Sequence, residues 1–302
     1  MQTKAAEAAT PPPAPPEGLL TPFERAALRL ARFSNERPLP KAALHWFMTR
    51  SVPWIKLTIG PRFYIEGVDR VHAMHPDRGV IFVANHRSFF DMYIVMLAMF
   101  WRGRGWTERM FFPVRSNFFY EQPVGVLLNY AMGGGSMYPP IFRDPAKVAF
   151  NQAAVDTVAR QLARPGTLVG MHPEGTRGKG PDPYDLLPAQ PGVGQMILQS
   201  KPIVIPLFIN GLSNDFVGDC IDTYRPGMKR KNPVIIVFGE PVDFSEYDGQ
   251  KPRAALYKRV ADRSRDAILV CAAREKALRA QIVDGIIPDE SPGWLYNTER
   301  SR

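Results

Sequence analysis

The chain has 302 residues, 45% of them hydrophobic and 11% aromatic, which is enough apolar material for one sizeable core. Charged residues at 22% exclude wholesale disorder. Two cysteines, Cys220 and Cys271, exclude a disulfide scaffold and a cysteine-rich zinc site, and point to a reducing compartment. The net charge of +9 suits nucleic acid, anionic lipid or acidic small molecules without choosing among them.

Residues 1–20 read as a disordered Pro/Ala-rich leader that lacks the apolar core of a signal peptide. Thr21-Pro22-Phe23-Glu24 predicts a helix start, with Thr21 as N-cap, Pro22 at the first helical position and Glu24 completing a capping box. That helix is expected to run to about Phe33 and to be interrupted by Pro38-Leu39-Pro40. A second helix, Lys41 to Ile59, is expected to bend or break at Pro53. It interleaves Trp46, Phe47, Trp54 and Ile55 with Lys41, Arg50 and Lys56. Two readings stand for this segment: docking in a lipid interface, or packing on the main domain.

Short continuous apolar runs then alternate with helical patterns. Strands are predicted at Val80–Ala84, Thr167–Met171, Ile203–Ile209 and Val234–Phe238. Helices are predicted at Asp91–Trp101, Val124–Met132, Lys147–Arg164 and Gly192–Ser200. Buried strands separated by helices indicate an α/β fold, a mostly parallel central sheet flanked by helices, with the N-terminal amphipathic helical segment added. Arg253–Ala280 is a long helix, and residues 251–280 hold nine basic and three acidic residues. This run is either a solvated face or a contact for an anionic surface. Residues 284–302 read as a tail, loose from Pro288 onward. No stretch is both apolar and helix-compatible over the length of a membrane-spanning helix.

Of the five histidines, His72 and His75 precede a turn and have no partner cysteine, and His45 sits on the aromatic helix. They read as surface and packing residues, and no metal site is expected. His86 differs, because Asn85-His86-Arg87-Ser88-Phe89-Phe90-Asp91 follows a buried strand and leads into an apolar helix. The carboxyl end of a strand in an open α/β sheet is where ligands bind. Asp91 falls in the first helical turn, where its carboxylate can accept one imidazole N–H and leave the other nitrogen as a base. The competing reading is a helix-capping aspartate beside an ordinary loop histidine. A second block, His172-Pro173-Glu174-Gly175-Thr176-Arg177-Gly178-Lys179-Gly180, also follows a predicted strand. Its glycines, hydroxyl, arginine and lysine suit a phosphate, and it is not a P-loop.

Together the two blocks resemble the glycerolipid acyltransferase family, which includes lysophosphatidic acid acyltransferases and tafazzin. The hallmarks are Asn-His, four residues, Asp (Asn85-His86…Asp91) and Pro-Glu-Gly-Thr-Arg (Pro173–Arg177). Ile141-Phe142-Arg143 looks like the family block that ends in a substrate-binding arginine. Ile203–Pro206 looks like its apolar fourth block. Phe112-Pro113-Val114-Arg115 resembles a segment that usually carries lysine. The chain departs from the family pattern at His172, where phenylalanine is usual, in a longer Gly135–Arg143 stretch, and at Gln190, where many members have lysine.

The resemblance implies an acyltransferase domain over residues 60–283 that includes the basic C-terminal helix. Residues 21–59 form the amphipathic, membrane-docking candidate ahead of it. It implies transfer of a fatty acyl group from acyl-CoA or acyl-carrier protein to a lysophospholipid hydroxyl, foremost 1-acylglycerol 3-phosphate, in phospholipid biosynthesis. His86 would be the base and Asp91 its orienting partner. Arg115, Arg143, Glu174, Gly175, Thr176 and Arg177 would bind substrate. No metal or cofactor is implied. A membrane surface is the expected partner and nucleic acid is not. The expected location is peripheral or monotopic on the cytoplasmic face of a membrane. Two alternatives stand: acylation of glycerol 3-phosphate, an aminolipid or a glycolipid, and a non-catalytic membrane-binding protein on the same scaffold.

Overall fold

The computed structural model describes residues 17–101, 103 and 105–297. The leader up to residue 16 and the last five tail residues lie outside these. Helices α1 (Pro22–Glu36) and α2 (Pro38–Ile59) lead into β1 (Phe63–Glu66) and the short α3 (Val68–His72). Then come β2 (Val80–Ala84), α4 (Asp91–Phe100), β3 (Arg109–Phe111), β4 (Val114–Arg115), α5 (Ser116–Phe119), α6 (Pro123–Gly133) and β5 (Pro140–Ile141). The second half runs α7 (Ala149–Leu162), β6 (Thr167–Met171), α8 (Pro191–Ser200), β7 (Ile203–Asn210), α9 (Phe216–Thr223), α10 (Met228–Lys231), β8 (Val234–Phe238) and α11 (Ala254–Val283).

The main sheet has the order β1-β8-β7-β2-β6-β3. β7, β2, β6 and β3 are parallel to one another, whereas β8 runs antiparallel to β7 and parallel to β1. This is the mostly parallel α/β sheet that the apolar runs predict. The runs are continuous because helices cover both faces: every residue of β2 and β8 is buried. Packed α2 and α4 lie on one face, with α7, α8 and α11 on the other. A Cβ at Gly194 of α8 would stand 1.9 Å from the carbonyl oxygen of Tyr257 in α11, so only glycine permits this close crossing. Val80 lies opposite both Leu168 and Ile203, so β2, β6 and β7 are in step and their carboxyl ends open at one edge.

The capping box at the start of α1 forms as its spacing predicts: Glu24 N donates to Thr21 Oγ1 at 3.2 Å, and Thr21 N donates to Glu24 Oε2 at 2.7 Å. Pro38 and Pro40 open α2 rather than merely interrupting the chain, because the first helical turn needs no intrahelical N–H bond. Pro53 is accommodated within α2. Ala27, Leu28 and Ala31 of α1 and Met48, Val52, Ile55 and Ile59 of α2 join the main core. The two helices are also pinned by Lys41, whose ammonium donates to Asn35 Oδ1 (2.8 Å) and the Met110 carbonyl (2.5 Å) and lies over the Phe111 ring. Burial pushes this amine down to about 7.

Three local expectations change. Trp54 is half-buried against Tyr93, so only Trp46 and Phe47 of the aromatic set stay exposed. The basic run on α11 is largely engaged within the molecule. Arg263 pairs with Glu246, Arg274 with Glu66 and Arg279 with Glu275, and Arg265 donates to the carbonyls of Leu186 and Leu187. The tail is not loose from Pro288: Trp294 and Leu295 are buried, and Trp294 bridges to Tyr64 of β1 with the two rings edge-on at 5.1 Å.

Arg62, just before β1, is wholly buried. It donates to Thr223 Oγ1, to the Gly211 and Asn232 carbonyls and, at 2.8 Å, to Asp219 Oδ1. The other Asp219 oxygen accepts from the N–H and the hydroxyl of Ser213. Truncation at Arg62 strands a buried carboxylate and two carbonyls. Arg62→Ala is therefore expected to lower unfolding free energy by about 3–5 kcal/mol, measured by urea titration.

Candidate active site

Four loops meet at the carboxyl edge of the parallel strands, after β2, β3, β6 and β7. The β2 loop is shaped by side chains acting as substitute backbone. The Asn85 amide donates to the Ile209 carbonyl (2.8 Å) and accepts from Ile209 N (2.7 Å), clamping the end of β2 to β7. Glu174, from the β6 loop, is buried. One of its oxygens accepts from His86 N and the other from Leu187 N, both at 2.8 Å. The His86 carbonyl in turn accepts from Gly178 N.

Asp91 opens α4 and is 1% exposed. Its Oδ2 accepts three bonds: from Arg87 N (2.8 Å), Ser88 N (3.0 Å) and His86 Nδ1 (3.0 Å). A carboxylate can only accept, so Nδ1 carries the proton and Nε2 keeps a lone pair. Asp91 thus holds the loop and orients the imidazole with one atom. Burial raises the Asp91 carboxyl to about 6 against the opposing pull of the bonds it accepts, which leaves it ionised at neutral pH. Burial, followed by the nearby Arg177 and Arg115, lowers His86 and keeps it neutral.

The cationic end of the site is built around one carbonyl. Gly175 takes φ +63°, a left-handed conformation natural to glycine. Its carbonyl accepts from Arg115 Nε (3.1 Å) and Nη2 (2.7 Å) and from Arg143 Nη2 (3.3 Å). Arg177 is held by Asn214 Oδ1 at 2.6 Å. Among the described residues none of these three guanidiniums pairs with a carboxylate, and burial, followed by Arg143 and Arg177, depresses Arg115. Three cations sharing a small space favour an incoming anion.

A cleft of about 1040 Å³ joins these parts. His86, Arg115, Thr176 and Arg177 line it. So do Phe89, Phe112, Phe118, Phe119, Met137 and Val193, which make an apolar extension. The candidates His86, Asp91, Arg115, Glu174, Gly175, Thr176 and Arg177 therefore converge, and Arg143 joins them through the Gly175 carbonyl. Glu174 stands apart in kind, since both oxygens are spent on backbone N–H groups. Sequence reasoning missed Asn214. It accepts from Arg177 and from Phe89 N, and it reaches the site from the loop after β7, where no spacing relates it to either motif. It also missed the placement of His172, whose ring stacks on His86. His86, Asp91 and His172 bring one donor atom each within 4.8 Å, but the two rings lie in nearly parallel planes with centroids 3.9 Å apart, and one metal ion cannot lie in both planes, so the arrangement suits it poorly. His45 packs edge-on against Phe100, and His72 bonds the Met99 carbonyl.

An open α/β sheet with a carboxylate-bound imidazole at its carboxyl edge, an anion-seeking end and an apolar cleft defines a group-transfer enzyme. Residues 62–210, just under half of the chain, match the family model described as Acyltransferase, which makes this part of the chain an acyltransferase domain. The protein is an acyl-transferring enzyme. Among solved structures it is similar to the 1-acyl-sn-glycerophosphate (LPA) acyltransferase PlsC from Thermotoga maritima, with 18% identity and a TM-score of 0.44, over 86% of this chain and 85% of that one. No curated protein matched the chain.

Burial also lowers His172 from its ordinary 6.5 to about 3. A folded-state value below the unfolded one means that stability is full above about pH 6.5 and is lost as pH falls below it. Asp91, shifted upward, acts in the opposite sense. His172→Phe removes one titrating group, so it should flatten the fall in urea-unfolding free energy between pH 7 and 5.5 by about 1 kcal/mol.

Proposed function

We propose that the protein transfers a fatty acyl group from a thioester, acyl-CoA or acyl-carrier protein, to the hydroxyl of a lysophospholipid, foremost 1-acylglycerol 3-phosphate. The observation that carries this reading is one cleft whose lining combines a neutral, carboxylate-held imidazole, the guanidiniums of Arg115 and Arg177, with Arg143 beside them on the Gly175 carbonyl, and an aromatic apolar extension. A phosphate suits the guanidiniums and an acyl chain the apolar extension.

His86 Nε2 accepts the proton of the acceptor hydroxyl as its oxygen attacks the thioester carbonyl. The tetrahedral intermediate collapses with cleavage of the C–S bond, and the thiolate leaves with the proton that His86 has held. No acyl-enzyme forms. Asp91 accepts from Nδ1 throughout and stabilises the transient imidazolium. Arg115, Arg143 and Arg177, with Thr176 beside them, hold the acceptor phosphate. Glu174 fixes the loop that bears Thr176 and Arg177 to the loop that bears His86.

His86→Ala should lower kcat at least 100-fold with an unchanged melting curve, since base catalysis contributes roughly 10²- to 10⁴-fold. Arg177→Ala and Arg143→Ala should raise KM for a phosphate-bearing acceptor well above any change for the donor. Arg177→Lys should restore binding only in part. Mass analysis of products from a panel of 1-acylglycerol 3-phosphate, glycerol 3-phosphate, amino- and glycolipid acceptors tests the acceptor, and equal effects on donor and acceptor KM argue against the phosphate clamp.

The same reading gives α1 and α2 a second role at a membrane surface. No helix among the described residues is long and apolar enough to cross a membrane. Leu30, Phe33, Leu39, Trp46 and Phe47 are exposed, with Arg37 over the Phe33 ring and Arg50 over the Trp46 ring. Apolar rings flanked by guanidiniums suit an anionic lipid interface. Trp46→Glu with Phe47→Glu should reduce flotation with anionic vesicles and activity on bilayer-borne acceptor. The melting temperature and activity on detergent-dispersed acceptor should hold. Unchanged flotation of the folded variant overturns the docking role.

A further inference from the structure

His86 and His172 emerge from the carboxyl ends of adjacent parallel strands, β2 and β6, whose register pairs Val83 with Met171. Their rings lie face to face, with centroids 3.9 Å apart and planes 8° from parallel. His172 Nδ1 lies 3.1 Å from the Ala84 carbonyl, which can only accept, so Nδ1 carries the proton and the ring is held by the end of β2 itself. The stacked ring is thus fixed to the strand that delivers His86.

The bond from His86 Nδ1 to Asp91 constrains one edge of the imidazole. It does not fix the ring plane, because the χ2 torsion of histidine is broad. A flat ring in van der Waals contact closes one face and stops that rotation. We infer that His172 is a positioning residue: its stacked ring sets the plane of the His86 imidazole and so the direction of the Nε2 lone pair toward the acceptor hydroxyl. This rests on His86 being the base in the proposed transfer.

The stack also fits the chemistry of the step. When His86 takes the acceptor proton it becomes a cation against the face of a neutral aromatic ring, an attractive arrangement. Burial keeps His172 neutral, which avoids two like charges 3.9 Å apart. No proton needs to pass through His172, so a flat ring without ionisable nitrogen should serve. Phenylalanine supplies the ring alone, leucine fills similar volume without a flat face, and alanine supplies neither.

The test compares His172→Phe, His172→Leu and His172→Ala with His86→Ala in steady-state acyl transfer, each checked by a melting curve. His172→Leu and His172→Ala are expected to lower kcat on the order of tenfold or more, with KM for donor and acceptor within about twofold, because only the attack geometry is lost. His172→Phe should recover kcat to within about threefold of the natural enzyme. If alanine does not fold, the leucine and phenylalanine pair decides alone. Leucine equal to phenylalanine, or a change confined to KM, overturns the positioning role. A His86→Ala enzyme that retains turnover overturns the base assignment itself, and so distinguishes the two failures.

Discussion

The Asp91 carboxylate is the constraint on which the site depends. It starts α4, gathers two backbone N–H groups of the β2 loop and still presents the same oxygen to the His86 ring. Buried ionised groups persist only where hydrogen bonds replace water, and this one has three donors. Loop shape, helix start and imidazole orientation are consequently one arrangement. An amide at this position would keep an oxygen for the loop but would weaken the polarisation of the imidazole.

The electrostatics of the cleft balance two opposed demands. Burial first, then Arg177 and Arg115, lower the His86 pKa, which keeps the imidazole neutral at neutral pH but makes it a weaker base. An anion bound among the guanidiniums would offset their charge and return basicity to the imidazole. The cations are held by neutral partners, the Gly175 carbonyl and the Asn214 amide, which position them without cancelling their charge.

Sheet topology explains how distant residues meet. Strands β7, β2, β6 and β3 are neighbours and parallel, so loops separated by many residues in the chain leave the sheet at the same edge. The Asn85 clamp and the Glu174 bridge tie those loops across strands. Arg62 and Asp219 secure the loop carrying Ser213, and the Ser213 carbonyl accepts from the Ser88 hydroxyl next to the His86 turn. Stability and site geometry therefore share residues.

The sequence by itself determined the features that rest on local physics. Continuous apolar runs marked β2, β6, β7 and β8 because strands covered on both faces need no polar alternation. Thr21, Pro22 and Glu24 marked the start of α1 because a cap acts within four residues. The five-residue separation of His86 and Asp91 was legible as a pair because a loop entering a helix brings those positions together. β1 and β3 were not legible, since four and three residues carry too little pattern. Tertiary structure alone decided that Trp54 packs inward while Trp46 faces out, that arginines on α11 meet acids at home, and that Trp294 closes over β1. It alone placed Asn214 on Arg177 and His172 on His86. Each of these depends on which strands lie side by side, a long-range choice set by burial of the whole core, which no local spacing encodes.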